Sequence, residues 1–146
     1  MNTVDARIRR MKIEDADEIG AISMAITQKP TDVDFRKIIG EQLQQEKNAC
    51  FVAEMEGKVA GFMISFIQSG GFGMKESAWI VQLGVDPKHM GQGIGDRLAR
   101  EVFKYCQKAG IKDIYTSVRW DSTDLLSFFK TLGFDRSNFI NLRKKL

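Results

Sequence analysis

Histidine and proline are nearly missing from this chain of 146 residues, with one of the first and two of the second, and cysteine is no commoner than proline. Each scarcity excludes something. One histidine and no Cys-x-x-Cys argue against a protein-ligated transition metal, so no metal is expected. Cys50 and Cys106 both stand among apolar neighbours and read as buried free thiols of a reducing cytoplasm, not as a disulfide framework. No apolar run approaches the roughly 20 residues of a membrane span, and residues 1–15 carry no secretory pattern. Charge of one sign is also lacking: 22 basic against 19 acidic residues leave a dispersed net charge of +3. That is too little to indicate a nucleic-acid partner, although it does not oppose a polyanionic ligand. With 43% hydrophobic and 28% charged residues, and no repeat, low-complexity stretch or linker, the chain reads as a single domain spanning 1–146.

Glycine, by contrast, is plentiful, and its placement is informative. A β-rich apolar run over residues 79–85 stops at Asp86-Pro87. Apolar residues at helical spacing resume at Ile94, Leu98, Val102, Tyr105 and Cys106. Gly91, Gly93 and Gly95 lie at this strand-to-helix junction. Glycine is costly inside a helix, so three at its opening need a reason. The first amides of a helix have no intrahelical acceptor and sit at the positive end of its dipole; a loop without Cβ atoms can press them against a phosphate. No Lys-Ser/Thr follows, as a triphosphate loop requires, and the glycines alternate instead of forming Gly-x-Gly-x-x-Gly. A diphosphate cradle of a third kind remains.

Elsewhere the pattern predicts a strand over residues 6–11 and an acidic helix start at Glu14, Asp15 and Asp17. Two helices should follow, the first ended by Lys29-Pro30 and the second opened near Asp34. Residues 49–54 and 59–67 pair through a hairpin turn containing Gly57. A second glycine cluster over 68–75 is a loop, since no helix opens after it. A strand near 114–118 follows the cradle helix as a parallel crossover. A helix capped by residues 121–123 is closed by Gly133, and a short hairpin, 134–136 with 139–142, ends the order β-α-α-β-β-β-α-β-α-β-β.

Three features together resemble the GNAT superfamily of acyl-CoA-dependent N-acyltransferases: the segment Val-x-Pro-x-x-x-Gly-x-Gly-Ile-Gly-x-x-Leu from Val85 to Leu98, the element order, and Phe128-Phe129-Lys130-Thr131-Leu132-Gly133-Phe134, which is similar to the family's Phe-Tyr-x-x-x-Gly-Phe. The resemblance implies an α/β GNAT fold whose mixed central sheet splays between strands four and five, with acetyl-CoA entering the gap. It implies that Leu83 and Val85 hold the pantetheine arm and that Met90, Gly91, Gln92, Gly93, Ile94, Gly95 and Asp96 receive the diphosphate. Gly84 would permit a bulge that aims an amide at the thioester oxygen. Ser122 stands where the family often has a CoA-contacting asparagine, and Phe129 where it has the tyrosine that protonates the departing thiolate. The implied reaction is transfer of an acetyl group from acetyl-CoA to a primary amine, of a small molecule or a protein, without metal, nucleic acid or membrane.

Three departures bear on that reaction. Phe129 has no proton to give. Gln82 occupies the strand on which a catalytic carboxylate is often found, and it and Ser122 are the catalytic candidates this sequence offers in place of the usual groups; Glu76 and Asp121 are the nearest carboxylates. Met90 stands where arginine or glutamine is common, with Lys88 and His89 as partial substitutes. The alternative to an enzyme is a non-catalytic acyl-CoA-binding or regulatory module. Acceptor choice would fall to the segments near residues 29–34 and 136–139, and a homodimer, common in the family, is a further expectation.

Overall fold

The computed structural model describes residues 5–45, 47–70, 73 and 75–146. Among the described residues five strands form one sheet in the order β1-β2-β3-β4-β5: β1 (Arg7–Arg10), β2 (Phe51–Met55), β3 (Lys58–Gln68), β4 (Ser77–Val85) and β5 (Ile114–Thr116). The first four pair antiparallel and β5 lies parallel to β4. Helices α1 (Ala16–Thr27) and α2 (Phe35–Leu43) follow β1, α3 (Ile94–Lys108) joins β4 to β5, and α4 (Thr123–Thr131) follows β5.

Local chemistry sets these boundaries. Helix α1 closes on Gln28 at φ 57°, just before Pro30. Asp34 caps α2 by accepting from the Lys37 amide. Glu56 and Gly57, at φ 53° and 78°, give the β2–β3 hairpin the two left-handed residues of a type I′ turn. Strand β3 is buried along most of its length because both faces are covered. Phe62 and Ile64 face α1 and α2, in a cluster with Ile19, Ile22, Phe35 and Ile39. Met63 faces α3 and α4, in a second cluster with Ile80, Leu98, Val102 and Phe129. Both cysteines are free and buried. The second glycine cluster falls in part outside the described residues, at Gly71, Phe72 and Met74.

One polar clasp ties β1 to the start of α1. The Arg9 guanidinium donates to both Asp15 carboxylate oxygens at 2.8 and 2.9 Å, its Nε donates to Glu54 at 2.9 Å, and the Lys12 amide donates to Asp15 at 2.8 Å. Asp15, expected as a helix-start acid, is thus drawn back onto the sheet.

The C-terminal hairpin expected from the sequence is not formed; residues 134–146 contain no strand. Reversal at Ser137-Asn138 requires positive φ in a two-residue turn, and neither residue is among those with positive φ. The Ser137 hydroxyl instead takes the Phe139 amide at 3.1 Å, so that N–H is not free to join a ladder. Strand β5 is likewise shorter than the apolar run 114–118 suggests.

Candidate functional site

Strands β4 and β5 stay together for only three residue pairs, Ala78 with Ile114, Trp79 with Tyr115 and Ile80 with Thr116. The Thr116 hydroxyl donates to the Ile80 carbonyl at 2.9 Å. Beyond that tie, residues 81–85 of β4 have no partner on the β5 side among the described residues, whereas residues 82–85 remain paired to β3 on the other edge. An unpaired strand edge is a row of directed donors and acceptors. Here it faces a gap within the sheet.

The bulge lies earlier in β4 than expected. Register shifts between Ile64 and Ser65, which pair with Gln82 and Ile80, so Val81 is the extra residue. Gly84 instead pairs regularly with Phe62, and a Cβ there would come within 2.8 Å of the Phe62 ring and 2.9 Å of Ile26. Gly84 therefore serves close packing against α1. The extra residue inverts side-chain parity: Ala78 and Ile80 before it, and Leu83 and Val85 after it, all pack into the α3 cluster. Val81 is left 43% exposed at the point where the strands part. It was absent from the residues singled out in the sequence. The break in alternation, Ala-x-Ile-x-x-Leu-x-Val, was the available signal.

At the mouth of this gap α3 begins. Gly91 and Gly93 have φ of 79° and 81°, a conformation that costs other residues about 1–2 kcal/mol. Neither would meet an obstacle to a Cβ, so backbone conformation, not space, requires them. Gly95 is the opposite case, with the Phe128 ring 3.1 Å from its would-be Cβ and Val85 at 3.9 Å. That contact joins the start of α3 to the gap edge and to α4. Arg97 donates to the Gly93 carbonyl at 3.1 Å; none of the backbone bonds outside the regular elements is donated by residues 91–96. A run of undirected amides at a helix N-terminus suits an anion. Asp96 is turned to Arg100 at 2.8 Å, which limits its opposition to a phosphate. Met90 is half exposed, while Lys88 and His89 line a groove of about 400 Å³ against α1 with Glu18 and Lys58.

Ser122 is the N-cap of α4, but its side chain bonds no helix amide, contrary to the capping role expected of this segment. Its hydroxyl is thereby left for other partners. Phe129 is 3% exposed, wedged between Phe128 and Phe134 with ring centroids 5.2 and 5.0 Å away. Gln82 is half-buried on the far half of β4. Neither nearby carboxylate is poised as a base. Glu76 precedes β4, at the end away from the gap, and pairs with Lys47 at 3.3 Å. Asp121 takes two bonds from Arg119 at 3.0 and 2.9 Å, which hold it below the usual carboxylate range.

The site is thus a wedge between two strands, lined by backbone and opening on a bed of free amides. The model of the acetyltransferase (GNAT) family matches residues 16–134 of the chain. An N-alpha-acetyltransferase of Sulfurisphaera tokodaii is 26% identical over 135 residues, covering 88% of this chain and 79% of the relative. An uncharacterised N-acetyltransferase of Methanocaldococcus jannaschii is 29% identical over 104 residues. The match takes in 67% of this chain but only 44% of that longer relative. Among solved structures, the aminoglycoside N-acetyltransferase AAC(6′)-Iy in complex with CoA superposes with a TM-score of 0.80 over 96% of this chain and 94% of its own, at 18% identity. At that identity the likeness is one of fold.

Proposed function

The chain belongs to the acetyltransferase (GNAT) family, and from that premise we propose that it is a cytoplasmic enzyme that moves an acetyl group from acetyl-CoA to a primary amine by direct attack on the thioester. One observation carries this: the unpaired edge of residues 81–85 runs into the undirected amides of residues 91–96. A pantetheine arm is a chain of amides and fits an open strand edge, and a diphosphate fits a helix N-terminus. Neither ligand part demands a charged side chain.

In the reaction the amine nitrogen forms a bond to the thioester carbon, negative charge develops on the carbonyl oxygen, and the carbon–sulfur bond breaks as CoA thiolate departs. This chain's part is to hold the acyl group still and to present an N–H where charge develops. The bulge at Val81 is the place in β4 where an amide can leave the β3 ladder and turn into the gap. The acceptor must lose a proton, since a lysine-like amine of pKa about 10 is mostly charged near neutrality. With Glu76 and Asp121 tied in ion pairs, solvent reaching the gap is the base this geometry supports, aided by Gln82 as a neutral hydrogen-bonding group. The free Ser122 hydroxyl supports a proton donor to sulfur in place of tyrosine. Loss of a positioned acid costs about 10²–10⁴-fold in rate, so slow turnover is expected.

Those same facts favour a second reading, a module that binds acyl-CoA without turning it over. Calorimetric titration with acetyl-CoA and CoA, followed by thiol release with a panel of small and peptide amines, separates the two. Binding with amine-dependent release is the expected result. Binding with no release from any amine supports the module, and absence of binding at millimolar ligand overturns both.

A further inference from the structure

Four aromatic side chains, Phe66, Trp79, Tyr115 and Phe139, belong to neither apolar cluster of the core. Phe66 of β3 pairs in register with Trp79 of β4, and Trp79 with Tyr115 of β5, so these three form a row across adjacent strands. Ala78 and Ile80 pack into the α3 cluster, and Trp79 between them therefore faces the other way. The cluster under α1 and α2 takes Phe62 and Ile64 from that face but stops short of the row. Trp79 and Tyr115 stack with centroids 4.9 Å apart and 24° between planes, and Phe139 of the C-terminal segment meets Tyr115 edge to face at 6.1 Å. Trp79 and Tyr115 are half-buried and Phe139 is 45% exposed. Contiguous rings left at a surface mark a place of contact.

The position of this wall relative to the gap gives it an occupant. Trp79 with Tyr115 is the last pair but one before the strands part, and Val81, the extra residue of the bulge, stands two positions beyond Trp79. Two residues of strand span about 7 Å, close to the length of an amine, a two-carbon spacer and a ring. Helix α3, whose N-terminus offers the free amides, packs on the opposite face, which leaves the face with the rings open to a second substrate. The indole N–H of Trp79 is already given to Ser77 Oγ at 3.1 Å, so the wall presents ring surface rather than a donor. Glu76 and Asp121, the carboxylates that flank these strands in the chain, are engaged by Lys47 and Arg119, and neither is placed to hold a second cationic group.

Resting on the acetyl transfer read above, we propose that Trp79, Tyr115 and Phe139 select the acceptor, and that it is a primary amine with an aromatic ring about two carbons from the nitrogen. The ring packs on the wall while the nitrogen reaches the thioester carbon beside the bulge. Packing of ring on ring is favourable beyond the area it covers, and it discriminates by shape rather than by charge. A free arylalkylamine and a peptide opening with phenylalanine share this chemistry.

Two measurements test this. Thiol release is followed with 2-phenylethylamine, butylamine and spermidine, and with the tripeptide amides Phe-Ala-Ala and Ala-Ala-Ala. The KM of the ring-bearing amine of each kind should lie about tenfold or more below that of its ring-free counterpart, and the lower of the two ring-bearing values tells a free amine from a chain terminus. Tyr115→Leu should raise that KM about tenfold, with the butylamine KM and the CoA dissociation constant unchanged, and Tyr115→Phe should restore it. Phe139→Ala, at an exposed position outside the sheet, gives the same test without disturbing a strand. The second measurement needs no turnover. Trp120→Phe leaves Trp79 as the one tryptophan of the chain, and adding 2-phenylethylamine to this variant with CoA bound should shift its emission, whereas butylamine should not. A KM for butylamine or spermidine as low as that for 2-phenylethylamine, or an unmoved emission from a chain that binds CoA, overturns this assignment and leaves the transferase standing. A chain that binds no CoA by calorimetry overturns the transferase and its acceptor together.

Discussion

Phe129 concentrates the question of turnover in a single atom. It packs between two phenylalanine rings, and in the proposed reaction it has no hydroxyl with which to protonate the departing thiolate. Phe129→Tyr is expected to raise amine-dependent thiol release by roughly tenfold or more, within the ~10²–10⁴ range of positioned acid catalysis. It should also give the pH–rate profile a limb near tyrosine's free pKa of about 10. An unchanged rate and profile would mean that the missing hydroxyl is not what limits the reaction. The glycines of the cradle make a different test. Gly93 has φ 81° and open space around its Cβ position, so Gly93→Ala strains only the backbone, by about 1–2 kcal/mol. The strain falls on the amides that would meet the diphosphate, and the dissociation constant for CoA should rise about tenfold or more, 1.4 kcal/mol being a factor of ten. Titration calorimetry measures it; an unaltered constant would remove the cradle from the binding site.

At the scale of elements, the clasp of Arg9 with Asp15 and Glu54 holds α1, and hence the apolar face that Gly84 packs against, to the sheet. Burial pushes the Asp15 carboxyl up, but the Arg9 guanidinium and the Lys12 amide outweigh it and hold the group below its usual value. A carboxylate depressed in the folded state stabilises at pH above its unfolded pKa of about 3.9, and that contribution is lost as pH falls through the lower folded value. Asp15→Asn should therefore cost about 3 kcal/mol near neutrality, as for other broken buried pairs, and flatten the loss of stability on the acid side. Urea midpoints across pH measure both, and an acid limb as steep as in the native chain would sink the assignment. The clasp was not legible in the sequence, where Asp15 reads only as a helix-start acid; the partners of Arg9 are 6 and 45 residues distant from it and meet only through the β1–β2 pairing. What was legible follows local rules. The glycine turn ahead of α3, the four helices and the β2–β3 turn are set by glycine, capping and apolar spacing within a few residues. The bulge position depends on which neighbouring element fills each face of β4, and the missing hairpin on one hydroxyl claiming one amide. Neither is a property of a short window.

The whole molecule is built as two apolar layers on a sheet whose β4–β5 pairing stops halfway along β4, where β5 ends. Residues 82–85 are braced on one side by β3 and on the other by no strand among the described residues, and α3 and α4 touch across the mouth of the gap through Gly95 and Phe128. A ligand that occupies the gap as an added strand would therefore join parts that otherwise communicate only through helix packing. Anything that binds the folded chain and not the unfolded one stabilises it by mass action. Acetyl-CoA at 100 times its dissociation constant should add about 2.7 kcal/mol, and for a domain of this size that raises Tm by roughly 5–10 °C. Calorimetric scans with increasing acetyl-CoA test this, and Gly93→Ala scanned beside the native chain should need correspondingly more ligand for the same shift. The control is adenosine diphosphate, which offers a diphosphate without a pantetheine arm. If it stabilises as well as acetyl-CoA at equal saturation relative to its own constant but does not compete with it, the amides at α3 and the strand edge of β4 belong to separate sites. Full competition, with acetyl-CoA binding the tighter of the two, is the outcome expected when one ligand spans both.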